Sequence, residues 1–172
     1  MTGMTSSRIS KPASLEQCVI PAPFGRLAIS TELVDGSLMI SGIRYLERLQ
    51  STRKPQNALA SRAKEQIEAY FEDPSFQFNL PLKPQGTFYQ RRVWTAISEI
   101  DHGKTMTYGE LAKKIKSGPR AVGGACGANY YPLLIPCHRV LSTNGLGGFM
   151  QQAGAGWCMD IKRWLLAHEE IG

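Results

Sequence analysis

The stretch of residues 133–140 constrains this chain most, because it joins an apolar run to three reactive side chains. The run leads into Pro136, and Cys137, His138 and Arg139 then supply a thiol, an imidazole and a guanidinium in direct succession. An apolar run favours burial, so we expect the thiol at the edge of a core and not on a mobile loop. Pro136 fixes its own φ and favours an extended residue before it, which gives the thiol a defined direction.

A thiol attacks as a thiolate, and a nearby histidine or arginine can lower its pKa. The stretch therefore predicts either a reactive Cys137 or a structural cysteine beside a surface His138 and Arg139, because cysteine is often buried. Adjacent side chains of an extended segment point apart, so we expect any coupling between the thiol and the imidazole to pass through a water molecule.

Length and charge limit the class of protein. A chain of 172 residues forms one domain or two small ones, and a hydrophobic content of 42% is sufficient for a core. The net charge of +6 favours a polyanionic partner such as nucleic acid, although many basic enzymes share this balance. No run approaches the length of a membrane span, so we expect no membrane partner.

The cysteine pattern argues against metal and disulfide frameworks. The four cysteines form no closely spaced pair and match no zinc-ligand spacing, so no metal site and no cofactor are predicted. The first residues lack the apolar segment of a secretory signal. We therefore expect a cytoplasmic protein whose thiols are reduced.

Alternating apolar residues in the N-terminal half predict a small antiparallel sheet. Segments 24–29 and 38–40 alternate on either side of the turn signal at Asp35 and Gly36, and residues 43–49 are expected to add a third strand. Residues 76–80 alternate in the same way and predict one more strand.

One helix is predicted between these strands. Asn57 can cap a helix that continues through Phe71, because apolar residues recur along it at helical spacing. Asp73 and Pro74 end it. Residues 82–86, which include a proline, are interpreted as the linker between two halves.

Two capping boxes open helices in the C-terminal half. Thr87 is followed three residues later by Gln90, and Thr107 in the same way by Glu110. The first helix is expected to present one apolar face through Ile100. The second carries apolar residues on one side and lysines on the other.

A third helix follows a break at Gly118 and Pro119, since proline suits the first helical position. It spans residues 120–128 and, with the helix before it, forms a helix-turn-helix pattern. Its surface is almost bare, being mainly alanine and glycine, and each glycine lowers helix stability. Either another helix packs closely against this surface, or a foreign backbone such as a phosphodiester chain approaches it.

The last part of the chain is predicted to be a loop and a helix. Residues 145–156 are rich in glycine, alanine and glutamine, and a final helix is expected to begin at Asp160. Trp164 and His168 share its apolar face. Glu169 lies beside that face.

Several pieces of the sequence, taken in order, resemble the O6-alkylguanine-DNA alkyltransferases, also called methylated-DNA–protein-cysteine methyltransferases. They lie between residues 86 and 169, whereas the N-terminal half resembles the family only in its pattern of elements. The pieces are residues 86–90, 93–94, 107–112, 120–125, 128–129, 135–140 and 163–169.

The resemblance implies an α+β fold in two domains. Residues 1–82 would form a small antiparallel sheet with a helix, of RNase H-like type. Residues 87–172 would form a mainly helical DNA-binding and alkyl-acceptor domain whose helix-turn-helix is of winged-helix type.

The resemblance also implies catalytic roles. Cys137 would accept the alkyl group, His138 would draw its proton through a water molecule, and Glu169 would orient and polarise His138. Asn129 would brace the turn that carries the thiol. Tyr108 would donate a hydrogen bond to the guanine ring nitrogen N3.

Further residues are implied to contact DNA and the damaged base. Arg120 would enter the base stack when the nucleotide is flipped out, and the bare helix after it would lie in the minor groove. The DNA-binding residues would be Arg120, Ala121, Gly124 and Tyr108. The substrate-binding residues would be Tyr108, Cys137, Val140 and Phe149.

The implied function is DNA repair by direct reversal. An alkyl group would pass from O6-alkylguanine, and from O4-alkylthymine, in double-stranded DNA to Cys137, and the thioether would leave each molecule spent after one turnover. The resemblance implies a monomer with no cofactor and no obligate protein partner. Residues 150–159 depart from the short family loop at this place.

Three alternatives use the same residues differently. A damage sensor of the same fold would bind lesions without transfer, but such relatives lack the acceptor cysteine. A cysteine hydrolase would leave Arg120 and the helix-turn-helix without a role. A transcription factor would need a dimer interface, for which the sequence offers no heptad pattern.

Overall fold

A three-stranded antiparallel sheet forms the first part of the molecule. The computed structural model describes residues 16–147 and 156–170. The strands are β1 (Glu16–Ala22), β2 (Gly25–Val34) and β3 (Ser37–Leu46), hydrogen-bonded in the order β1-β2-β3. Asp35 and Gly36 join β2 to β3 with φ angles of 50° and 82°, which confirms the predicted hairpin turn.

Two strand predictions need correction. The segments expected separately at 38–40 and 43–49 belong to one continuous strand, β3, which ends at Leu46, so residues 47–49 are not part of a strand. The segment 76–80 is not a strand, because Phe76 and Phe78 pack edge to face and Phe78 contacts the Tyr70 ring. Aromatic packing beneath the helix thus takes the place of sheet pairing at 76–80.

Helix α1 (Ala58–Glu72) covers this sheet. The Asn57 side chain accepts a hydrogen bond of 2.8 Å from the Ala60 amide, as expected of a cap. The helix extends one residue beyond the predicted end at Phe71 and stops before Pro74. Its buried face lies in the same core as the sheet. The residues on that face are Leu59, Ala60, Ala63, Ile67 and Tyr70.

Three helices form the middle of the chain. They are α2 (Phe88–Ser98), α3 (Tyr108–Lys114) and α4 (Pro119–Gly127), and both predicted capping boxes are confirmed. Ile100 lies beyond the end of α2 and is buried nonetheless. The Trp94 indole donates to the Ala125 carbonyl at 2.8 Å and joins α2 to α4.

A 3-10 turn, two short strands and a final helix complete the fold. The turn is Cys137–Arg139, and β4 (Met106–Thr107) pairs in parallel with β5 (Val140–Leu141). Helix α5 (Gly156–His168) begins a full turn before the predicted start at Asp160. Cys158 and Met159 are buried there, so they belong to the apolar face of α5 and not to the predicted loop.

The two ends of the described chain meet at an aromatic cluster. Trp164 of α5 lies edge-on to Phe24 at 5.5 Å and to Phe71 at 5.8 Å, and it stacks on His168 at 4.7 Å. These contacts dock α5 on the sheet and α1. None of the described helices is long and apolar enough to cross a membrane.

We predict that the Thr107 cap stabilises the α3–α4 unit. The Thr107 hydroxyl accepts from the Glu110 amide at 3.0 Å, so Thr107→Ala should lower the free energy of unfolding by about 1 kcal/mol. Urea denaturation measures this change. Thr95→Ala is the matched control, because Thr95 lies inside α2 on an exposed face. Equal losses in both variants would contradict the capping role.

Candidate active site

Cys137 begins the single 3-10 turn that follows Pro136. The Arg139 amide donates to the Pro136 carbonyl at 3.0 Å and closes the turn. The prediction that Cys137 lies at the edge of a core is confirmed, because its side chain is 5% exposed. The assumption of an extended segment through Cys137 and His138 is wrong.

Asn129 holds the sulfur and the backbone before it. Its side-chain amide donates to Cys137 Sγ at 3.1 Å and to the Ile135 carbonyl at 3.0 Å. Its oxygen accepts from the Tyr131 amide at 2.8 Å. One buried amide therefore fixes the thiol relative to the end of α4.

The electrostatics of the thiol differ from the sequence expectation. A hydrogen bond with the Cys126 thiol and burial raise the pKa of Cys137 well above its usual value. The Asn129 amide and the positive charge of Lys162 act in the opposite direction. Neither His138 nor Arg139 activates the thiol directly, because both bind Glu169 instead.

His138 and Glu169 form a buried pair behind the thiol. His138 Nε2 lies 2.9 Å from Glu169 Oε2, and both residues are at least 97% buried. A carboxylate only accepts, so Nε2 carries the hydrogen and Nδ1 keeps its lone pair. Nδ1 has no hydrogen-bonding partner among the described residues. The imidazole therefore offers one free basic nitrogen.

The protonation states follow from the surroundings. Burial lowers the pKa of His138, although Glu169 acts against this, so the imidazole is neutral near pH 7. Burial alone would raise the pKa of Glu169, but hydrogen bonds from His138, Arg139 and Tyr70 hold it well below its usual range. The pair is thus a neutral base backed by a carboxylate.

Two partners of Glu169 were missed by sequence reasoning. Arg139 donates from Nε to Oε1 at 2.8 Å and from Nη2 to Oε2 at 3.0 Å, and the Tyr70 hydroxyl donates to Oε2 at 2.5 Å. Arg139 was visible as a cation in the motif but without a partner. Tyr70 showed only helical spacing, which is also the mark of an ordinary core residue.

Lys162 is a third residue that the sequence did not reveal. It is fully buried, and its ammonium donates to the carbonyls of Val140 at 2.8 Å and Leu146 at 2.6 Å. Burial lowers its pKa to about 8. A lysine among the buried residues of α5 was the available signal. Its hydrogen bonds hold the segment that follows the reactive turn.

Tyr108 is the first residue of α3, and Val140 begins β5 directly after the 3-10 turn. Val140 is buried, and burial raises the pKa of Tyr108 to about 12, with Cys126 and Cys137 as further causes. Its phenol therefore stays protonated near pH 7 and can donate a hydrogen bond. Gly147 has a φ of 74°, and a Cβ there would lie 3.0 Å from Tyr108 Cε2. Phe149 lies outside the described residues.

The bare surface of α4 faces away from the protein. Arg120, Ala121 and Gly124 are exposed, and a Cβ added at Gly123 or Gly124 would meet no atom within 4 Å. Among the described residues, no second helix packs against these glycines. Of the two interpretations of the bare helix, the open face therefore favours approach by a foreign backbone.

The site has nothing that would hold a metal ion in the part of the chain that the structure describes. No three histidine, cysteine, aspartate or glutamate side chains there are grouped as ligands. The candidate reactive groups are Cys137, His138 and Glu169, and the groups bonded to them or to the segment that follows the 3-10 turn are Asn129, Arg139, Tyr70 and Lys162.

The chain is similar to several known proteins. Residues 88–171 match the family model described as 6-O-methylguanine DNA methyltransferase, DNA binding domain. A methylated-DNA–protein-cysteine methyltransferase of Haemophilus influenzae is 37% identical over 88% of this chain and 84% of its own length.

Two further relatives extend the comparison. A Mycobacterium tuberculosis protein in a crystal structure with DNA has a TM-score of 0.70 and 36% identity over 88% of this chain and 91% of its own. A Thermus thermophilus protein named DNA base-flipping protein is 36% identical over 87% of this chain and 97% of its own length.

We predict that burial of Lys162 makes stability depend on pH. The folded-state pKa of about 8 lies below the unfolded value of roughly 10.4, so the unfolded chain binds more protons between these values. The unfolding free energy of the natural protein should therefore rise with pH from about 8 to 10, relative to Lys162→Met.

Urea denaturation at a series of pH values measures this difference. Lys104→Met removes a positive charge from an exposed site and is the control. A constant difference between Lys162→Met and the natural protein across the series would contradict the assignment.

Proposed function

This chain belongs to the methylated-DNA–protein-cysteine methyltransferases, and from that premise we propose that Cys137 takes an alkyl group from O6-alkylguanine in DNA. The chain is a DNA-repair enzyme that acts by direct reversal. The observation that carries the assignment of residues is the buried pair of Glu169 and His138, the residue that follows Cys137, with a free basic nitrogen at Nδ1. A thiol, an imidazole and a carboxylate in series form an activated nucleophile.

Proton removal begins at His138. Its Nε2 hydrogen is held by Glu169, so Nδ1 is the atom that receives the proton of Cys137 through one water molecule. Glu169 then stabilises the imidazolium that forms. Since burial and the Cys126 thiol raise the pKa of Cys137, the sulfur needs this base to react at neutral pH. Lys162 and the Asn129 amide favour the thiolate.

The transfer is a displacement at a saturated carbon. The sulfur–carbon bond forms as the bond from that carbon to guanine O6 breaks, and the electron pair leaves with the base. A proton must reach the departing purine, and the Tyr108 phenol donates a hydrogen bond to its N3 as negative charge develops there. The thioether that remains on Cys137 has a poor leaving group, so each molecule reacts once.

The target base must leave the duplex before it reaches Cys137. Extrusion of a base costs a few kcal/mol, and Arg120 offsets part of this cost by entering the stack. The open face of α4, with Ala121 and Gly124, lets the DNA backbone approach closely. This face lies in the minor groove, and the net charge of +6 favours the complex.

The pocket also accommodates O4-alkylthymine. Tyr108 and Val140 contact the base, and Cys137 reaches the same exocyclic position of either damaged base. No cofactor takes part in the transfer.

The finer architecture supports two domains. We propose that residues 1–82 are an RNase H-like domain and that residues 87–172 are a DNA-binding domain of winged-helix type. The three-stranded sheet with α1, and the α3–α4 unit beside β4 and β5, support these assignments. The protein acts as a cytoplasmic monomer without an obligate protein partner.

A lesion sensor is the second candidate, because a relative of 36% identity is named a DNA base-flipping protein. Such a protein would use Arg120 and α4 without alkyl transfer. Cys137 and the buried His138–Glu169 pair favour transfer, because a protein that only binds the lesion has no use for a buried imidazole and carboxylate.

We predict stoichiometric transfer to Cys137. Duplex DNA with O6-methylguanine labelled in the methyl group should leave one label per protein, located on Cys137 by mass spectrometry. Cys137→Ser should bind the same DNA without taking the label, because a hydroxyl is a far weaker nucleophile. Cys158→Ser is the matched control, since Cys158 lies elsewhere in the core, and should react normally.

The result distinguishes the candidates. Unlabelled protein that still binds the lesion would support the sensor. Loss of the methyl group from DNA with Cys137 unmodified would contradict both candidates.

We predict that Arg120 assists extrusion of the base. Arg120→Ala should slow transfer from duplex DNA by about tenfold or more, since unstacking costs a few kcal/mol, and should hardly affect reaction with free O6-methylguanine. Single-turnover rates on both substrates measure this. Arg163→Ala, which removes a charge paired with Asp160 on α5, is the control. Equal slowing on both substrates would refute the role.

A further inference from the structure

Helix α1 reaches the buried carboxylate through one hydroxyl group. Tyr70 is 1% exposed, and its hydroxyl donates to Glu169 Oε2 at 2.5 Å across 99 residues of sequence. The same oxygen accepts from His138 Nε2 at 2.9 Å. Glu169 Oε2 therefore links α1 to the His138 imidazole, which is the general base of the proposed reaction.

Contacts with His168 of α5 and with Phe78 fix the position of Tyr70. Its backbone carbonyl accepts from His168 Nε2 at 2.7 Å, and the two rings meet edge to face at 5.1 Å. Phe78 packs on the ring at 5.6 Å. Tyr70 therefore contacts two consecutive residues, His168 through its backbone carbonyl and ring and Glu169 through its hydroxyl.

Tyr70 acts only as a donor to this carboxylate. Burial and the neighbouring negative charge raise the pKa of Tyr70 far above its usual value, so the phenol keeps its proton at any pH of interest. Glu169 stays ionised under the same conditions, because its pKa is held low. The contact is therefore a permanent charge-assisted hydrogen bond.

Three donors share Glu169 Oε2 and compete for its charge, namely the Tyr70 hydroxyl, His138 Nε2 and Arg139 Nη2. The Tyr70 hydroxyl withdraws electron density from Oε2, so the carboxylate stabilises a positive charge on His138 less than it otherwise would. Removing the hydroxyl would make Oε2 a stronger acceptor for His138. Protonated His138 would then be favoured, and less of the free base would remain at mildly acidic pH.

We propose that Tyr70 is a positioning residue that sets the proton affinity of the His138–Glu169 pair, so that the N-terminal half takes part in alkyl transfer. This inference rests on the proposed function of Cys137. Tyr70 does not touch the reacting atoms and acts through Glu169.

The other ionisable groups that face the pair keep their places when only the Tyr70 hydroxyl is removed. They come from β3, from the 3-10 turn and from α5. These groups are Tyr45, Arg139, Lys162 and His168. A change in the titration of His138 in such a variant therefore reports on the hydroxyl.

The test is the pH dependence of transfer in Tyr70→Phe. Single-turnover rates on duplex DNA with O6-methylguanine should fall about three- to tenfold at pH 6 and by less than about twofold at pH 8, a size consistent with one charge-assisted hydrogen bond. The acid limb of the profile should move to higher pH. The imidazole NMR signals of His138 in the free protein should titrate in the same direction.

Tyr131→Phe is the matched control. The Tyr131 hydroxyl also joins the two halves, through the Lys83 carbonyl and the Gln85 side chain, but lies outside the pair. Its acid limb should coincide with that of the natural protein. Circular dichroism and the unfolding midpoint check that both variants fold.

A second substitution keeps the ring and strengthens the donor. 3-Fluorotyrosine placed at position 70 is a more acidic phenol, so it should move the His138 titration and the acid limb to lower pH, opposite to Tyr70→Phe. This variant remains informative if Tyr70→Phe does not fold.

The outcomes separate the two hypotheses. If Tyr70→Phe loses the same factor at every pH, or if the fluorinated variant does not move the acid limb downward, the inference about Tyr70 is overturned. If the natural protein takes no alkyl group under the same conditions, the proposed function fails instead.

Discussion

The buried carboxylate of Glu169 is the interaction on which the rest of the structure depends. A charge removed from water is tolerated only where hydrogen bonds and opposite charges surround it. Glu169 meets this requirement with donors from Tyr70, His138 and Arg139. These donors come from α1 and from the reactive turn, while the carboxylate itself follows α5. Satisfying one charge therefore brings three distant segments together.

The same arrangement fixes the chemistry at the thiol. Because the carboxylate holds the Nε2 hydrogen, the imidazole has one defined tautomer and presents Nδ1 as its basic atom. Arg139 balances the charge of Glu169, so burial can keep the imidazole neutral. The thiol is held separately by Asn129. The thiol and the imidazole are thus positioned by different hydrogen bonds.

The exposed face of α4 follows a different physical rule. There α4 gives up helix stability by carrying glycine on an exposed face, and no neighbour within the described protein requires those glycines. The cost is local, and the proline at the start of α4 offsets part of it. The buried side of the same helix is well packed, with Val122 and Ala125 in the core. Helix α4 therefore has one side packed in the core and one side left open.

The sequence by itself determined what depends on residues a few positions apart. The capping boxes at Thr87 and Thr107 and the turn at Asp35 are local hydrogen-bonding patterns, and all were predicted correctly. The reactive motif was equally visible, since its groups are adjacent. Only the tertiary structure decided the early start of α5, the irregular path of residues 76–80, and the roles of Tyr70 and Lys162 at the site. These depend on burial against distant segments, and a tyrosine or lysine on an apolar helix face carries no sign of which carboxylate or carbonyl it will meet.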